Sequence, residues 1–283
     1  MKSVRVGCVK YLNARPLIRG WPGNVEFDHP SALCHRLAKG QLDVALVSSF
    51  EFLRNPIYRI VDDVCISSDG PVYSVVVAHR GKFSDIEEIE LDPASETAVN
   101  LLGCLLAELG LKPRLIRNID FQSVRPAGLP LAESETAENI PAGRKDKMSM
   151  LQPPDLARLI IGDHAIRFRQ EHARAFQFWD LGEQWNKLTG LPFVYALWLI
   201  RPEVSEAKSI AQHLRGLRDE NLANLDAVIA DEKEFNPQFC ARYYRKHLRF
   251  GFREKEKEGL RGFADLCVKH GLLQKRDLAF PVV

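Results

Sequence analysis

The sequence has none of the spacings that hold a metal or a nucleotide cofactor. Its six cysteines, Cys8, Cys34, Cys65, Cys104, Cys240 and Cys267, are scattered without a Cys-x-x-Cys pair, and its eight histidines include no His-x-x-x-His or carboxylate-paired cluster. No metal site is therefore expected, and the thiols are read as reduced and mostly buried. Gly70 and Gly162 stand outside any Walker or dinucleotide fingerprint, which argues against a phosphate-rich cofactor. An excess of one charge is missing too: 39 lysines and arginines face 37 acidic residues, a formal net charge of +2. So weak a field draws in neither nucleic acid nor an anionic membrane, and a small molecule becomes the expected partner. The longest apolar runs, such as Phe193 to Ile200, are far shorter than the ~20 residues of a spanning helix. The first strand is expected from about residue 3, leaving no room for an export signal ahead of it, and the expected location is the cytoplasm.

What the chain does have is a repeated corner. Its 283 residues, 46% hydrophobic and 27% charged, suffice for two lobes with separate cores. In Val4 to Pro16 an alternating β-branched run stops at Tyr11-Leu12-Asn13, and Pro16 suits the first turn of a short helix ending near Gly20. Such junctions, at the carboxyl ends of parallel strands, are where open α/β sheets hold small ligands. Two later junctions repeat the pattern with hydroxyls: Ser48-Ser49 after the strand Asp43 to Val47, and Ser95 to Thr97 after the strand Ile89 to Leu91. Strand, hydroxyl corner and helix in succession predict a parallel α/β sheet.

Between the corners, a strand is expected at Val25 to Phe27, then a helix Ala32 to Lys39 capped by Ser31 and stopped by Gly40. Ile57 to Val64 is β-like. Cys65 to Gly70, with Ser67, Ser68, Asp69 and Gly70, reads as a tight polar turn. Val72 to Ala78 has the continuous apolar character of a strand buried on both faces and is taken as the first crossing between lobes, with Phe193 to Ile200 as the return. The division expected is residues 1–75 with 197–283 as the larger lobe and 76–196 as the smaller. Gln122 to Pro154 loses periodicity and reads as an irregular surface loop. Leu156 to Ile161 is a strand ending at Gly162-Asp163, and after Pro202 the spacing of Ile210, Leu214, Leu217, Leu222, Leu225, Val228, Ile229, Leu260, Phe263, Leu266 and Cys267 predicts a helical tail with these residues on its core faces.

Each corner has two readings. A helix N-terminus offers free N–H groups and partial positive charge to a carboxylate or phosphate, yet serine there most often caps its own helix. Asn13 offers a donor and an acceptor to a ligand, or holds its own turn. Asp69 and Asp163 follow apolar strands and could act as acid or base, or merely cap turns. The basic and aromatic run Arg242 to Arg253 continues into Glu-Lys-Glu-Lys-Glu and reads as a solvated helix with buried aromatics, not a nucleic-acid surface.

Taken together, YLNARPL, GQLDVALVSSFEF, ISSDGPVYSV, the Ser95-x-Thr97 corner, LIIGDHAI and DLGEQWNKLTGLPFVYALW resemble the chorismate dehydratases, which open the futalosine route to menaquinone. The likeness runs in order from about residue 4 to 200 and more weakly through the tail. It implies a type II periplasmic-binding-protein-like fold, two α/β lobes joined by two crossing strands with a ligand cleft between them. It also implies conversion of chorismate to 3-[(1-carboxyvinyl)oxy]benzoate and water without metal or nucleotide cofactor. Asn13 and a serine of the Ser-Ser-Asp-Gly-Pro region, Ser68 or Ser67, occupy the positions that look catalytic. Tyr11, Leu12, Ser48, Ser49, Asp69, Gly70, Ser95, Thr97, Gly162 and Asp163 are the expected substrate contacts. Ala98 stands where the family usually carries a serine, removing one hydroxyl from the third corner. A related enzyme of the pathway, 1,4-dihydroxy-6-naphthoate synthase, is the alternative, and its corner differs from the Tyr-Leu-Asn form. A non-catalytic binding protein for a small anionic metabolite is the other. No oligomeric state is expected from the sequence.

Overall fold

The computed structural model describes residues 4–92, 94–117 and 157–283. The expected loop Gln122 to Pro154 lies outside them.

The chain opens with β1 (Val6–Cys8), a single 3-10 turn (Leu12–Ala14) and α1 (Arg15–Ile18), whose Pro16 lies in the first turn as expected. β2 (Val25–Phe27), α2 (Pro30–Ala38), β3 (Val44–Ser48) and α3 (Ser49–Arg54) follow. α2 begins two residues earlier than Ser31 suggests: His29 is the extended N-cap and Pro30 opens the helix, since proline needs no N–H there. β4 (Arg59–Ser68) then runs through the stretch expected to turn at Cys65. Pairing overrides the serines' turn preference, with Ser67 and Ser68 opposite Val194 and Phe193.

A second group consists of β5 (Val75–His79), β6 (Glu88–Leu91), α4 (Glu96–Glu108), β7 (Arg114–Arg117), β8 (Ala157–Ile161), α5 (Gly162–His172), β9 (Gln177–Asp180) and α6 (Leu181–Thr189). β10 (Phe193–Ile200) returns to the first sheet, followed by α7 (Ala207–Ala223), α8 (Leu225–Ala230), α9 (Pro237–Arg242), a π-helical turn (Tyr243–His247) and α10 (Glu254–Lys269). The strand orders are β2-β1-β3-β10-β4 and β7-β6-β8-β5-β9. Neither sheet is purely parallel, contrary to expectation. β10 is antiparallel to β3 and β4, and β5 is antiparallel to β8 and β9. A strand that leaves one sheet and enters the other reverses direction relative to the local βαβ units, which stay parallel in β1, β2 and β3 and in β6, β7 and β8.

The outward crossing occupies the residues between Ser68 and Val75, so the strand expected from Val72 starts three residues later. Here Gly70 takes φ +101° and Tyr73 φ +71°, a left-handed conformation that costs a non-glycine residue about 1–3 kcal/mol. Asp180 offsets that cost: its carboxylate accepts the N–H of Val72 at 3.0 Å and of Tyr73 at 2.7 Å, while the Arg169 guanidinium lies 4.2 Å from the centre of the Tyr73 ring. The return crossing lies between α6 and β10, where the Trp185 indole donates to the Pro192 carbonyl. Phe50, Trp185, Phe193 and Phe263 join α3, α6, β10 and α10 in one apolar cluster, with Trp185, Phe193 and Phe263 packed edge to face and Phe50 tilted against Phe263. The tail positions Ile210, Leu214, Leu217, Leu225, Val228, Ile229, Leu260, Phe263 and Cys267 are buried, as their spacing predicts, while Leu222 and Leu266 are only half-buried at the margin of the core. In the basic and aromatic run, Tyr243, Tyr244, Phe250 and Phe252 are buried, but the backbone forms a π turn and an irregular stretch instead of a regular helix.

Candidate functional site

The first corner is closed from the opposite sheet. Gly162 begins α5 at φ +59°, its N–H bonded to the Ser74 carbonyl at 2.8 Å, and a Cβ at that glycine would sit 3.0 Å from the Tyr11 ring. Only glycine combines that backbone with so close an aromatic neighbour. Next to it, the Asp163 carboxylate accepts the Leu12 N–H at 2.8 Å. Burial pushes Asp163 up to about 6, against the opposing pull of the Leu12 N–H and of Arg167 and Arg15. From the tail, the Tyr244 hydroxyl donates to the Leu12 carbonyl at 2.8 Å, so both backbone groups of Leu12 are fixed from outside its own turn. Burial raises the Tyr11 phenol to about 12, keeping it a neutral donor. Asn13 differs from these neighbours: its Oδ1 is buried with no hydrogen-bond partner among the described residues. A buried carbonyl left unpaired costs about 1–3 kcal/mol, a cost that a hydrogen-bond donor on a bound ligand or water would relieve.

The second and third corners meet each other. Thr97, in the first turn of α4, hydrogen-bonds the Ser48 hydroxyl, lies 3.4 Å from Ser49 Oγ, and accepts the Phe50 N–H at 3.1 Å. Ser48 makes no side-chain cap on α3, and Ser49 donates to the Val194 carbonyl at 2.7 Å. A threonine from one sheet's helix thus caps a helix of the other. Ser95 follows the plain reading, accepting the Ala98 N–H at 3.2 Å as the cap of α4.

The Ser-Ser-Asp-Gly segment splits three ways, because successive side chains of a strand point to opposite faces. Ser67 turns to the tail and donates to the Arg249 carbonyl at 3.3 Å. Ser68 is buried, donates to the Gly70 carbonyl at 2.9 Å and meets the Tyr195 hydroxyl at 2.9 Å. Gly182 closes over it: a Cβ there would lie 2.5 Å from the Tyr195 oxygen, 2.6 Å from the Gly70 carbonyl oxygen and 2.7 Å from Ser68 Oγ. Asp69 is exposed and accepts from the Asn186 amide at 3.0 Å, outside the enclosed corners.

Two groups at this junction escape the sequence reading. Ser74, read there as part of an apolar strand, is fully buried; its Oγ accepts the Tyr243 hydroxyl at 2.7 Å, and its own proton meets no acceptor among the described residues. Only its place as the lone polar residue in Val72 to Ala78 could have flagged it. Asp92, at the end of β6, is raised above the ordinary carboxylate range by burial, opposed by its bond from the Ala94 N–H and by the nearby His164 and His29. It in turn helps hold the Tyr11 phenol neutral. A surface cavity of about 480 Å³, lined by Leu222, Asp226, Tyr244, Arg245 and Phe250, touches the first corner only through Tyr244.

Among the described residues no group of three or more histidine, cysteine or acidic side chains is placed to hold a metal ion, and no helix is long and apolar enough to cross a membrane. The family model for menaquinone biosynthesis matches residues 4–130 and 129–269. The chain belongs to that family. It is 29% identical over 272 residues to a chorismate dehydratase of Thermus thermophilus, an alignment covering 94% of this chain and 95% of that protein. Among solved structures it is similar to the alkanesulfonate-binding protein of Xanthomonas axonopodis pv. citri bound to MOPS, with TM-score 0.64, 17% identity, and 99% and 97% of the two chains covered. The periplasmic aliphatic sulphonate-binding protein of Escherichia coli superposes at TM-score 0.60, 13% identity, and 96% and 94% coverage. The menaquinone-family chain therefore carries the two-lobed α/β fold of periplasmic binding proteins, and it is an enzyme.

Proposed function

We propose that this family member is a chorismate dehydratase, a carbon–oxygen lyase that converts chorismate to 3-[(1-carboxyvinyl)oxy]benzoate and water in the cytoplasm. The observation that carries the reading beyond similarity is the buried Asn13 Oδ1, unpaired among the described residues, next to Leu12, whose backbone N–H and C=O are both matched. An acceptor in that state suits a substrate hydroxyl, and chorismate loses its 4-hydroxyl. The lobes are taken as 1–75 with 197–283 and 76–196; the sheet membership of β4, β5 and β10 supports moving the two boundaries into 69–74 and 190–192.

In the reaction the C3–H bond breaks, its electron pair forms the C3–C4 double bond, and the C4 oxygen departs as water after gaining a proton. The ring becomes aromatic, so the chemistry is downhill once the proton leaves. Asp163, the acid bonded to this corner, is engaged with the Leu12 N–H. A carboxylate of chorismate, held against its own C3 proton, then serves as base; well-oriented intramolecular arrangements of this kind supply about 7–11 kcal/mol. Asn13 holds the departing hydroxyl, and a buried serine hydroxyl beside the crossing fixes a substrate carboxylate. The sequence leaves that role to Ser67 or Ser68, but both donate to backbone carbonyls, and Ser74, whose hydrogen meets no acceptor among the described residues, suits the task better.

Incubating the purified protein with chorismate and following aromatic product by chromatography tests the reading. Product above the non-enzymatic background is expected; its absence rejects the activity, and intact chorismate recovered from a tight complex replaces it with capture alone.

A further inference from the structure

Tyr243 and Tyr244 sit side by side in the π-helical turn after α9. Such a turn adds a residue to the helical path and re-aims neighbouring side chains, which is one reason π turns recur at functional sites. Both rings are buried and both hydroxyls cross to the site, Tyr243 to Ser74 Oγ at 2.7 Å and Tyr244 to the Leu12 carbonyl at 2.8 Å. One turn of the tail thus touches both the outward crossing and the first corner. Neither end of the Tyr243 bond is loose. The ring stacks on Phe239 at 5.7 Å and 14°, and the Ser74 backbone is tied to the Gly162 N–H. Burial, with Asp163 and Asp180 in electrostatic reach, raises the Tyr243 phenol well above the ordinary tyrosine range, so it stays a donor.

A serine oxygen that accepts from a fixed donor has its own hydrogen directed elsewhere. For Ser74 no protein acceptor takes that hydrogen among the described residues. We propose that Tyr243 is a positioning residue: by donating to Ser74 Oγ it turns the serine's proton toward an oxygen of the bound substrate. The proposal rests on the chorismate reading above and deepens it. Tyr243 touches no reacting atom; it sets the direction of a hydroxyl that does.

The test is a double-mutant cycle in steady-state turnover of chorismate by wild type, Y243F, S74A and the pair. Y243F is expected to lower kcat roughly ten- to hundredfold with KM within about threefold, a smaller loss than removing a direct donor. In the S74A background the same change is expected to cost less than about twofold, because the group Tyr243 acts through is already gone. An active wild type with Y243F above half its kcat overturns the proposal alone, as do losses that multiply in the pair. A wild type without turnover overturns the dehydratase reading and the proposal with it. Should Y243F fail to fold, tetrafluorotyrosine at position 243 keeps the ring and the hydroxyl while making the phenol more acidic. A new alkaline limb in kcat is then expected as the donor ionises, and a profile like that of wild type overturns the proposal.

Discussion

Two serine–tyrosine pairs flank the outward crossing, and they are in opposite states. Ser68 meets Tyr195 at 2.9 Å and also donates to the Gly70 carbonyl, with Gly182 pressed against the group. Ser74 meets Tyr243 at 2.7 Å and keeps its proton. Both serines are buried, both tyrosines are raised by burial, and the sequence around Ser68 is the more polar. Yet Ser68 has used its donor on the backbone and so shapes the turn, whereas Ser74 retains a donor for something else. Burial and a tyrosine neighbour do not distinguish a ligand-facing hydroxyl from a structural one; the fate of the proton does.

The strongest way to break this contrast is to remove each hydroxyl. Ser74→Ala and Asn13→Ala are expected to lower kcat by about 10²–10³ with little change in KM, the scale for losing one transition-state hydrogen bond. Ser68→Ala is expected to cost less than about tenfold in kcat; a larger loss for Ser68 than for Ser74 reverses the assignment. Gly182→Ala tests the crowding around the structural pair. Its Cβ would force the Tyr195 hydroxyl, the Gly70 carbonyl or Ser68 apart, and urea titration should show a loss of about 1–3 kcal/mol.

Asp163 supplies a pH-dependent comparison. Its folded value of about 6 exceeds the ordinary 3.8, so its stabilising effect is fully present below about pH 4 and is lost as pH rises through about 6. Asp163→Asn removes that titration, and its melting temperature should gain on wild type across the same range, by the equivalent of about 2–3 kcal/mol at most. A gap that stays flat contradicts the burial account. The variant should also keep most of its turnover, since the substrate carries the base; a loss near a thousandfold would make Asp163 that base. Asp69→Asn, at an exposed position bonded to Asn186, is expected to change kcat by less than about twofold.

Much of the fold was legible because it is local. β2 spans the three residues expected, and the helical tail buries all the residues its period picks out except Leu222 and Leu266, which are half-buried. What escaped reading was long-range. Ser67 and Ser68 look like a turn until β10 arrives to pair with them, and Val72 looks like strand until Asp180 takes its N–H. The three corners were visible as types of junction, and the structure brings Leu12 of the first against Asp163 and Thr97 of the third against Ser48 and Ser49 of the second. Ser74 and Asp92 were not visible, because each is a single polar residue whose meaning depends on partners far along the chain, Tyr243 for one and His29 and His164 for the other.

The place of β10 between β3 and β4 also bears on how the molecule is made. A ribosome adding about 5–20 residues per second finishes β4 roughly ten seconds before β10 emerges, and during that time β3 and β4 have unpaired edges facing a gap. The strands of the second sheet, by contrast, all emerge within that interval. Cells making this protein face an assembly problem in its first half, and a chaperone that covers strand edges would be most useful there, before Phe193 has been added.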